Sequence, residues 1–309
     1  MRKYGGNGKW YFRTAAVFLL VSALAGCVHR TPFPDDRYVT ALGAPGEVVI
    51  TASTDKAMTI LDELTSYWQG LDQLSAIIAL TERLNVSIKL PERDSPDPLG
   101  YYGAVEGNIS MALFNAVLAM DRGWAVALDG HQRYYRNTDS GIAVSVPENG
   151  VLFFSSNDIS TVLEQTYRTR KVFVPDSIAS DLAAGMLGMY IYQPVSLTSA
   201  LDALIPVDLI KSIDSVWLAV DSREDFFDIH GMIVTDQKPA TTVISITLKK
   251  KYLEKLRKME EMPEGWQQSI VVDNDLQITI NSVELRMEDL RPVLESLLLQ
   301  ETEQPITQE

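Results

Sequence analysis

The sequence predicts an α+β protein with two similar sheet-and-helix subdomains, at residues 46–168 and 186–300. Stretches with the two-residue period of strands alternate with stretches of helical period along most of the chain. The order of these elements in the first half recurs in the second, which suggests an internal duplication. In addition, 46% of the 309 residues are hydrophobic, so each half can bury a core of its own. We therefore expect two sheets with helices packed on them.

The first subdomain contains alternating or uniformly apolar runs that predict strands at residues 46–52, 86–90, 101–106, 124–128, 132–135, 142–146 and 151–154. Runs with helical spacing predict helices at residues 54–68, 71–84, 109–120 and 158–167. Asp129-Gly130 separates two of the strands and is typical of a hairpin turn. Ser53 or Thr54 can cap the first helix, and Asn157 or Asp158 the last.

The second subdomain shows the same order in a shorter form. Strands are predicted at residues 189–192, 216–220, 226–230 and 276–280, and a long helix from about Pro239 to Met259. Residues 199–204 echo residues 59–64. Four residues of the last predicted helix match four of residues 158–164 at a constant offset, namely Asp289, Val293, Leu294 and Glu295. Residues 169–185 connect the halves, and the polar residues 301–309 predict a disordered tail.

The first 26 residues have the three parts of an export signal. A basic stretch with no acidic residue is followed by a short apolar run that ends in small residues. This run supplies about half of the roughly 20 apolar residues that a membrane-spanning helix needs. We therefore expect cleavage, which removes Arg2, Lys3, Lys9 and Arg13 and takes the formal charge from −14 to −18.

Leu24-Ala25-Gly26-Cys27 closes the apolar run and contains the only cysteine of the chain. It resembles the lipobox of bacterial lipoproteins, in which the cysteine receives a diacylglycerol thioether, cleavage falls just before it, and the new amino terminus is commonly acylated. The resemblance implies lipidation of Cys27, by acyl chains such as palmitate, and firm attachment to a membrane through them. Residues 27–45 include several prolines and predict a flexible tether, of which the 18 residues after Cys27 reach roughly 24 Å.

The same resemblance bears on location. In enterobacterial members of this family an aspartate after the cysteine favours the inner membrane, and Val28 stands there in this chain. We therefore expect the outer membrane rather than the inner one, with the folded domain in the periplasm or at the cell surface. The strongly acidic mature chain would repel phosphate backbones, so we expect no nucleic-acid partner.

Residues that could carry catalysis are few. His29, His131 and His230 are isolated from one another in the sequence, whereas a catalytic triad or a zinc site needs several such groups to converge. Ser53 and Lys56 fit the serine-lysine pattern of penicillin-binding enzymes, but the companion motifs are missing and a helix cap is the better interpretation. Asp228 and His230 share a strand face and can form a pair. Asp273-Asn274-Asp275 predicts a turn rather than a calcium loop.

One basic cluster stands out in this acidic chain, on the predicted long helix. Its lysines are Lys249, Lys250, Lys251, Lys255 and Lys258. Apolar residues at helical spacing, among them Ile244, Tyr252 and Leu256, mark the opposite side of the helix. The basic side predicts contact with an anionic surface, or else a solvated face favoured by the helix dipole.

Together these features predict a non-enzymatic cell-envelope lipoprotein that acts as a scaffold or interaction module, with no cofactor and no metal. The alternative is a carrier of an apolar ligand such as a lipid, bound between the two subdomains. The partner is accordingly an envelope protein or an apolar ligand. A large apolar cavity would favour the carrier, and a filled core with an exposed apolar patch would favour the interaction module.

Overall fold

The computed structural model describes residues 37–54, 57, 80–89, 100–169, 172–194, 206–223, 226–257, 265–286 and 288. The strands in it are β1 (Glu47–Ser53), β2 (Thr81–Lys89), β3 (Gly100–Gly107), β4 (Trp124–Asp129), β5 (Gln132–Asn137), β6 (Ala143–Glu148), β7 (Val151–Ser155), β8 (Leu187–Tyr192), β9 (Ile213–Arg223), β10 (Phe226–Thr235), β11 (Ile270–Asn274) and β12 (Gln277–Leu285). The helices are α1 (Met111–Met120), α2 (Ile159–Val162, continued by the π-helical turn Leu163–Arg168), α3 (Asp176–Ala184), α4 (Val207–Ile210) and α5 (Lys238–Leu256).

All twelve strands form one antiparallel sheet in the order β11-β12-β10-β9-β8-β1-β2-β3-β7-β6-β5-β4. The prediction of two separate sheets is therefore wrong, although the α+β class is confirmed. The two halves join because β1 pairs with β8, with Val48 opposite Ile191 and Ala52 opposite Leu187. Because of this pairing, neither β1 nor β8 is an open edge of the sheet. The periodicity of a sequence shows which residues form a strand, but it does not show which strands pair.

The two halves of the sheet follow the same path. The order β1-β2-β3-β7-β6 on one side corresponds to β8-β9-β10-β12-β11 on the other. In each half a helix, α1 or α5, follows the third strand, and the β4–β5 hairpin is an addition to the first half. A duplication would produce this correspondence; common ancestry of the halves stays a prediction.

Helices cover the two faces of the sheet differently. On one face α5 packs Ile244 and Leu256 against Val216, Ile233 and Ile278, and α1 covers the corresponding region near β6. On the opposite face lie α2, α3 and the chain segment before β1. Leu182 of α3 packs there on a cluster that includes Val49 of β1.

Residues 37–45 belong to this second layer, so the prediction that they form part of a flexible tether is wrong. Tyr38, Val39 and Leu42 are fully buried. Tyr38 stacks edge-on against Phe153 with ring centroids 5.5 Å apart, and Phe173 donates its N–H to Thr40 O at 2.6 Å. The prolines of the preceding stretch suggested an unstructured linker, but the apolar residues after Arg37 supply a layer that the sheet needs on this face.

Other boundaries also differ from the predictions. Residues 81–84, expected at the end of a helix, begin β2, and the predicted connection at 169–185 contains α3. The export signal, the lipobox with Cys27, the predicted helices at 199–204 and 289–295, and the tail at 301–309 lie outside the described residues.

Candidate interaction surface

The helix α1 is unusually apolar for a helix at the protein surface. Its sequence, Met-Ala-Leu-Phe-Asn-Ala-Val-Leu-Ala-Met, consists largely of strong helix formers. The whole stretch from Gly107 to Met120 carries no charge, in a chain whose net charge is −14. Because the helix is apolar on every side, the sheet can bury only part of that apolar surface.

Only one side of α1 packs against the sheet. Leu118 is buried in a cluster with Tyr135 and Val144, and Phe114 and Trp124 pack against the same cluster. The hydroxyl of Tyr135 also donates to Asn115 O at 3.0 Å, which fixes the helix on β5. The other side, with Met111, Ala112, Ala116, Ala119 and Met120, is open to solvent.

The strand β4 continues this open apolar surface. Trp124, Val126 and Leu128 alternate along β4 on the face that α1 covers, because Trp124 packs with α1. The exposed fractions are 73% for Met120, 62% for Val126 and 68% for Leu128. We call the patch formed by Met111, Ala116, Met120, Val126 and Leu128 the α1–β4 surface. The helix and the strand are in contact, and exposed apolar side chains on adjoining elements are typical of interaction sites.

The surface adjoins an open edge of the sheet. Among the strands that the structure describes, β4 is the terminal one and pairs only with β5, from Trp124 opposite Asn137 to Asp129 opposite Gln132. The charge at its far end is neutralised, since Arg168 Nη2 lies 2.8 Å from Asp129 Oδ2 and donates to Asp129 O at 3.0 Å. The surface is therefore apolar, uncharged and next to backbone groups that can accept another strand.

The opposite face of the sheet carries a buried polar cluster. Tyr102 Oη and Ser87 Oγ each donate to Glu47 Oε2 at 2.7 Å, and Gly43 N donates to Tyr102 Oη at 3.2 Å. Burial, and then the negative charge of Glu47, raise the pKa of Tyr102 well above its ordinary value. The phenol thus stays protonated and holds the segment at 37–45 on the sheet.

A second set of polar side chains crosses the same strands. Thr51 Oγ1 donates to Asn85 Oδ1 at 2.7 Å, and Asn85 Nδ2 donates to Glu106 Oε1 at 2.8 Å. Asn85 and Glu106 are buried. These bonds fix the register of β1, β2 and β3, since a slip of one residue would separate all three side chains.

An open groove with a volume of about 410 Å³ lies where β1, β8 and β9 meet. It is lined by Pro45, Gly46, Gln193, Lys211, Ile213, Asp214 and Asp236. Three of these side chains are charged, so the groove suits water and ions better than an acyl chain. Among the described residues it does not have the character that a carrier of apolar ligands requires.

Only some lysines of the predicted basic cluster on α5 are exposed at the surface. The inner side of α5 is confirmed, since Ile244, Tyr252 and Leu256 are buried. Lys250 and Lys251 are exposed and Lys249 is half-buried. Lys250 Nζ lies 4.0 Å from Glu254 Oε1, Lys255 donates to Glu284 O at 3.2 Å, and Lys258 lies outside the described residues.

The pair of Asp228 and His230 does not form. Asp228 is nearly buried and binds Arg223 Nη2 at 2.8 Å and Ser282 Oγ at 2.6 Å, while His230 Nδ1 is 4.0 Å from Asp221 Oδ2. The two side chains share a face, as expected, but stronger partners take the carboxylate. This arrangement corresponds to a structural ion pair rather than an acid–base pair.

The other residues considered for catalysis or metal binding make structural contacts wherever the structure describes them. Thr54 donates its hydroxyl to Thr81 O. The residues Asp273 to Asp275 lie at the turn between β11 and β12, as predicted, and Asp275 pairs with Lys238 at 2.8 Å. Within the described part of the chain, no group of three or more histidine, cysteine, aspartate or glutamate side chains is placed to hold a metal ion. Cys27 and Lys56 lie outside that part.

The sequence analysis missed the α1–β4 surface, although it predicted both of its elements. The available signal was the long uncharged stretch from Gly107 to Met120, which has apolar residues on every side of a helix. Such a helix is usually buried. One side of α1 stays exposed to solvent because the helix lies near the end of the sheet.

The chain is thus an α+β protein with one long antiparallel sheet and helices on both faces. In the described residues no helix is both long and apolar enough to cross a bilayer. Neither a family model nor a curated relative matches the sequence.

The fold is similar to that of TP0453 in three crystal forms. Form I has 15% sequence identity and a TM-score of 0.55, and covers 84% of this chain and 97% of that chain. Form III has 14% identity and a TM-score of 0.54, with 84% and 98% coverage; form IV has 14% identity and a TM-score of 0.53, with 83% and 96% coverage. At this identity the likeness shows a shared fold and carries no residue-level assignment.

Proposed function

We propose that the protein is a non-enzymatic lipoprotein of the bacterial cell envelope that acts as a scaffold or interaction module, and that it meets its protein partner through the α1–β4 surface. One observation carries this proposal: in a strongly acidic chain, uncharged apolar side chains lie open to solvent beside a sheet edge that no described strand pairs with. Soluble proteins rarely expose such a patch unless it binds something.

The envelope location rests on the leader. The motif at residues 24–27 supports lipidation of Cys27, and attachment through acyl chains makes no demand on the folded domain. Because residues from Arg37 onward pack on the sheet, at most nine residues, 28–36, connect the proposed anchor to the packed part of the chain. Nine residues span at most about 30 Å even when fully extended, so the anchor holds the domain close to the membrane.

The carrier alternative receives no support from the described residues. The groove beside Gly46 is open and lined in part by Lys211, Asp214 and Asp236, and the described apolar side chains around Phe153 and Ile244 pack against one another in clusters. An acyl chain needs an enclosed apolar cavity. Extraction of the purified protein with organic solvent, followed by lipid mass spectrometry, checks this point: a stoichiometric lipid would replace the interaction module by the carrier.

Site-specific photocrosslinking tests the proposed function. A photoreactive amino acid at Leu128 should give a defined crosslinked product in intact cells, because this side chain is exposed on the α1–β4 surface. The matched control is Leu276, which is also exposed but lies at the β11–β12 turn at the opposite end of the sheet. Equal products from both positions, or none from Leu128, would contradict the assignment.

The anchor is tested separately. Cells fed an alkyne analogue of palmitate should label the parent chain, and the Cys27→Ala variant should lose both the label and its sedimentation with membranes. A Cys27→Ala chain that still carries the label would overturn lipidation at this residue.

A further inference from the structure

The open edge of the sheet fits a second copy of this chain. We propose that two copies pair antiparallel through β4, with Val126 of one copy opposite Val126 of the other, so that the two sheets become continuous. The inference rests on the proposed function, because it names the partner of the α1–β4 surface. Three features of β4 carry it: the direction of its backbone groups, the order of its side chains and its charge.

The backbone of β4 presents its outward groups at alternate residues. Asn137 N donates to Ile142 O at 2.8 Å, so Asn137 is bonded towards β6. Its partner Trp124 therefore directs its backbone groups away from β5: its N–H donates to Asp121 O at 3.2 Å, and its carbonyl is left for a second strand. Val126 and Leu128 also direct their backbone groups outward, because the pattern alternates along an antiparallel pair. Pairing centred on Val126 places Trp124 opposite Leu128 of the second copy, so the outward-facing residues of the two strands oppose one another.

The same three residues carry the large apolar side chains. Residues 124–128 read Trp-Ala-Val-Ala-Leu, which alternates large and small in both directions. A two-fold axis through Val126 therefore sets large side chains against large ones, which is the self-complementarity that a two-fold interface requires. Such an axis stands perpendicular to the sheet and keeps the α1 helices of both copies on one face, where Met120 is exposed.

Charge permits this approach. The protein is acidic overall, yet Trp124 to Leu128 carry no charge. Beyond the strand ends, Asp121 and Arg122 balance one another, and the proposed register brings Arg122 close to Asp129 of the second copy. Two acidic molecules can therefore meet at this edge without like charges coming into opposition.

The other edge of the sheet is protected, in contrast to β4. β11 has five residues, ends in Asp273-Asn274 and has a register irregularity between Val272 and Asn274. Short length, charge and bulges are the features that prevent edge-to-edge pairing. β4 has six residues, an uninterrupted register and neither lysine nor proline. The two edges thus differ in the way that selective pairing through β4 requires.

Disulfide crosslinking of cells that express the full chain tests the register. In Val126→Cys the two introduced cysteines would have Cα atoms about 5.5 Å apart, which is the hydrogen-bonded spacing and lies within the range that a disulfide spans. We expect a dimer that reducing agent dissolves. Val272→Cys on β11 is the matched control, and the parent chain shows any background from Cys27. A dimer at position 272 as abundant as at 126 would overturn the proposal.

Sedimentation of the purified full chain in detergent supplies the second measurement. An interface of one strand pair is small, so association should be weak and dependent on concentration. Val126→Lys should raise the dimer dissociation constant at least tenfold, whereas Val272→Lys should leave it unchanged. A parent chain that is monomeric, or equal effects of the two variants, would overturn self-pairing. A crosslink from Leu128 to a different protein in that case would leave the proposed function standing, and the absence of any crosslink would remove both.

Discussion

Replacing Tyr102 by phenylalanine should loosen the attachment of residues 37–45 to the sheet. The hydroxyl accepts a hydrogen bond from Gly43 N and donates one to Glu47 Oε2, and the substitution keeps the ring, so no cavity opens. A hydrogen bond to a charged group contributes about 1.5–3 kcal/mol. We therefore expect the free energy of unfolding to fall by about 2–3 kcal/mol at pH 7, measured by urea unfolding.

Ser87→Ala is the matched comparison for this variant. It removes the other donor to Glu47 but leaves the bond between Tyr102 and Gly43. We expect a smaller loss, about 1 kcal/mol, and a double variant whose loss differs from the sum by at least 0.5 kcal/mol because both hydroxyls share one carboxylate oxygen. A Tyr102→Phe protein within 0.5 kcal/mol of the parent would refute the role given to this hydroxyl.

The same variant has a signature at high pH. Burial and the charge of Glu47 raise the pKa of Tyr102 above its ordinary value of 10.0, so the folded state keeps the proton that the unfolded state loses first. The resulting stabilisation is complete below about pH 10 and is lost as the pH rises towards the folded-state pKa. The parent should therefore lose more stability than Tyr102→Phe between pH 9 and pH 11, as followed by urea unfolding.

Three further variants test other parts of the structure. The carboxylate of Asp158 caps α2, and hydrogen bonds from Ser160 lower the pKa of this carboxylate below its ordinary value of 3.8. The cap therefore stabilises the fold at neutral pH, and this stabilisation is lost as the pH falls through the lowered pKa. Asp158→Asn should lose less stability than the parent between pH 5 and pH 2 in urea unfolding, and equal losses would contradict this. A Cβ at Gly188 would lie 2.8 Å from Leu182 Cβ, so Gly188→Ala should cost about 1–3 kcal/mol by displacing α3, seen as a lower Tm; an unchanged Tm would refute this packing. Reversing the charge of Lys250 and Lys251 should weaken binding to vesicles that contain anionic lipid about tenfold or more, and unchanged binding would show that this side of α5 is only solvated.

Strands and helices were predicted correctly from the sequence wherever apolar residues clearly recurred with either the strand period or the helix period. The β4–β5 hairpin at Asp129-Gly130 and the buried stripe of α5 were predicted correctly because each depends on near neighbours in the chain. Pairing of β1 with β8 and the position of residues 37–45 depend on contacts between distant segments. Periodicity has no information on such contacts, and for this reason the two-sheet arrangement and the full length of the tether were wrong.

The candidate site illustrates the same limit. The large apolar residues Trp124, Val126 and Leu128 alternate with alanines, so the sequence predicts a strand whose face with these three side chains is buried. In the structure Val126 and Leu128 are exposed. Only the strand order shows that β4 is terminal and that no described element covers this face beyond α1. For α1, too, composition predicts burial, and its place over the last strands of the sheet decides that half of it stays open.

The docked segment at 37–45 also places the α1–β4 surface relative to the proposed anchor. Arg37 Nη2 lies 3.8 Å from Glu148 Oε1, and Tyr38 Oη donates to the same oxygen, so the described chain begins at the end of β6. Two strand spacings of about 4.8 Å separate β6 from β4. With nine residues between Cys27 and Arg37, anchored copies would hold their β4 edges at a similar height above the membrane. Confinement of this kind raises the effective concentration of a weak pairing surface, and it would allow a small interface to act.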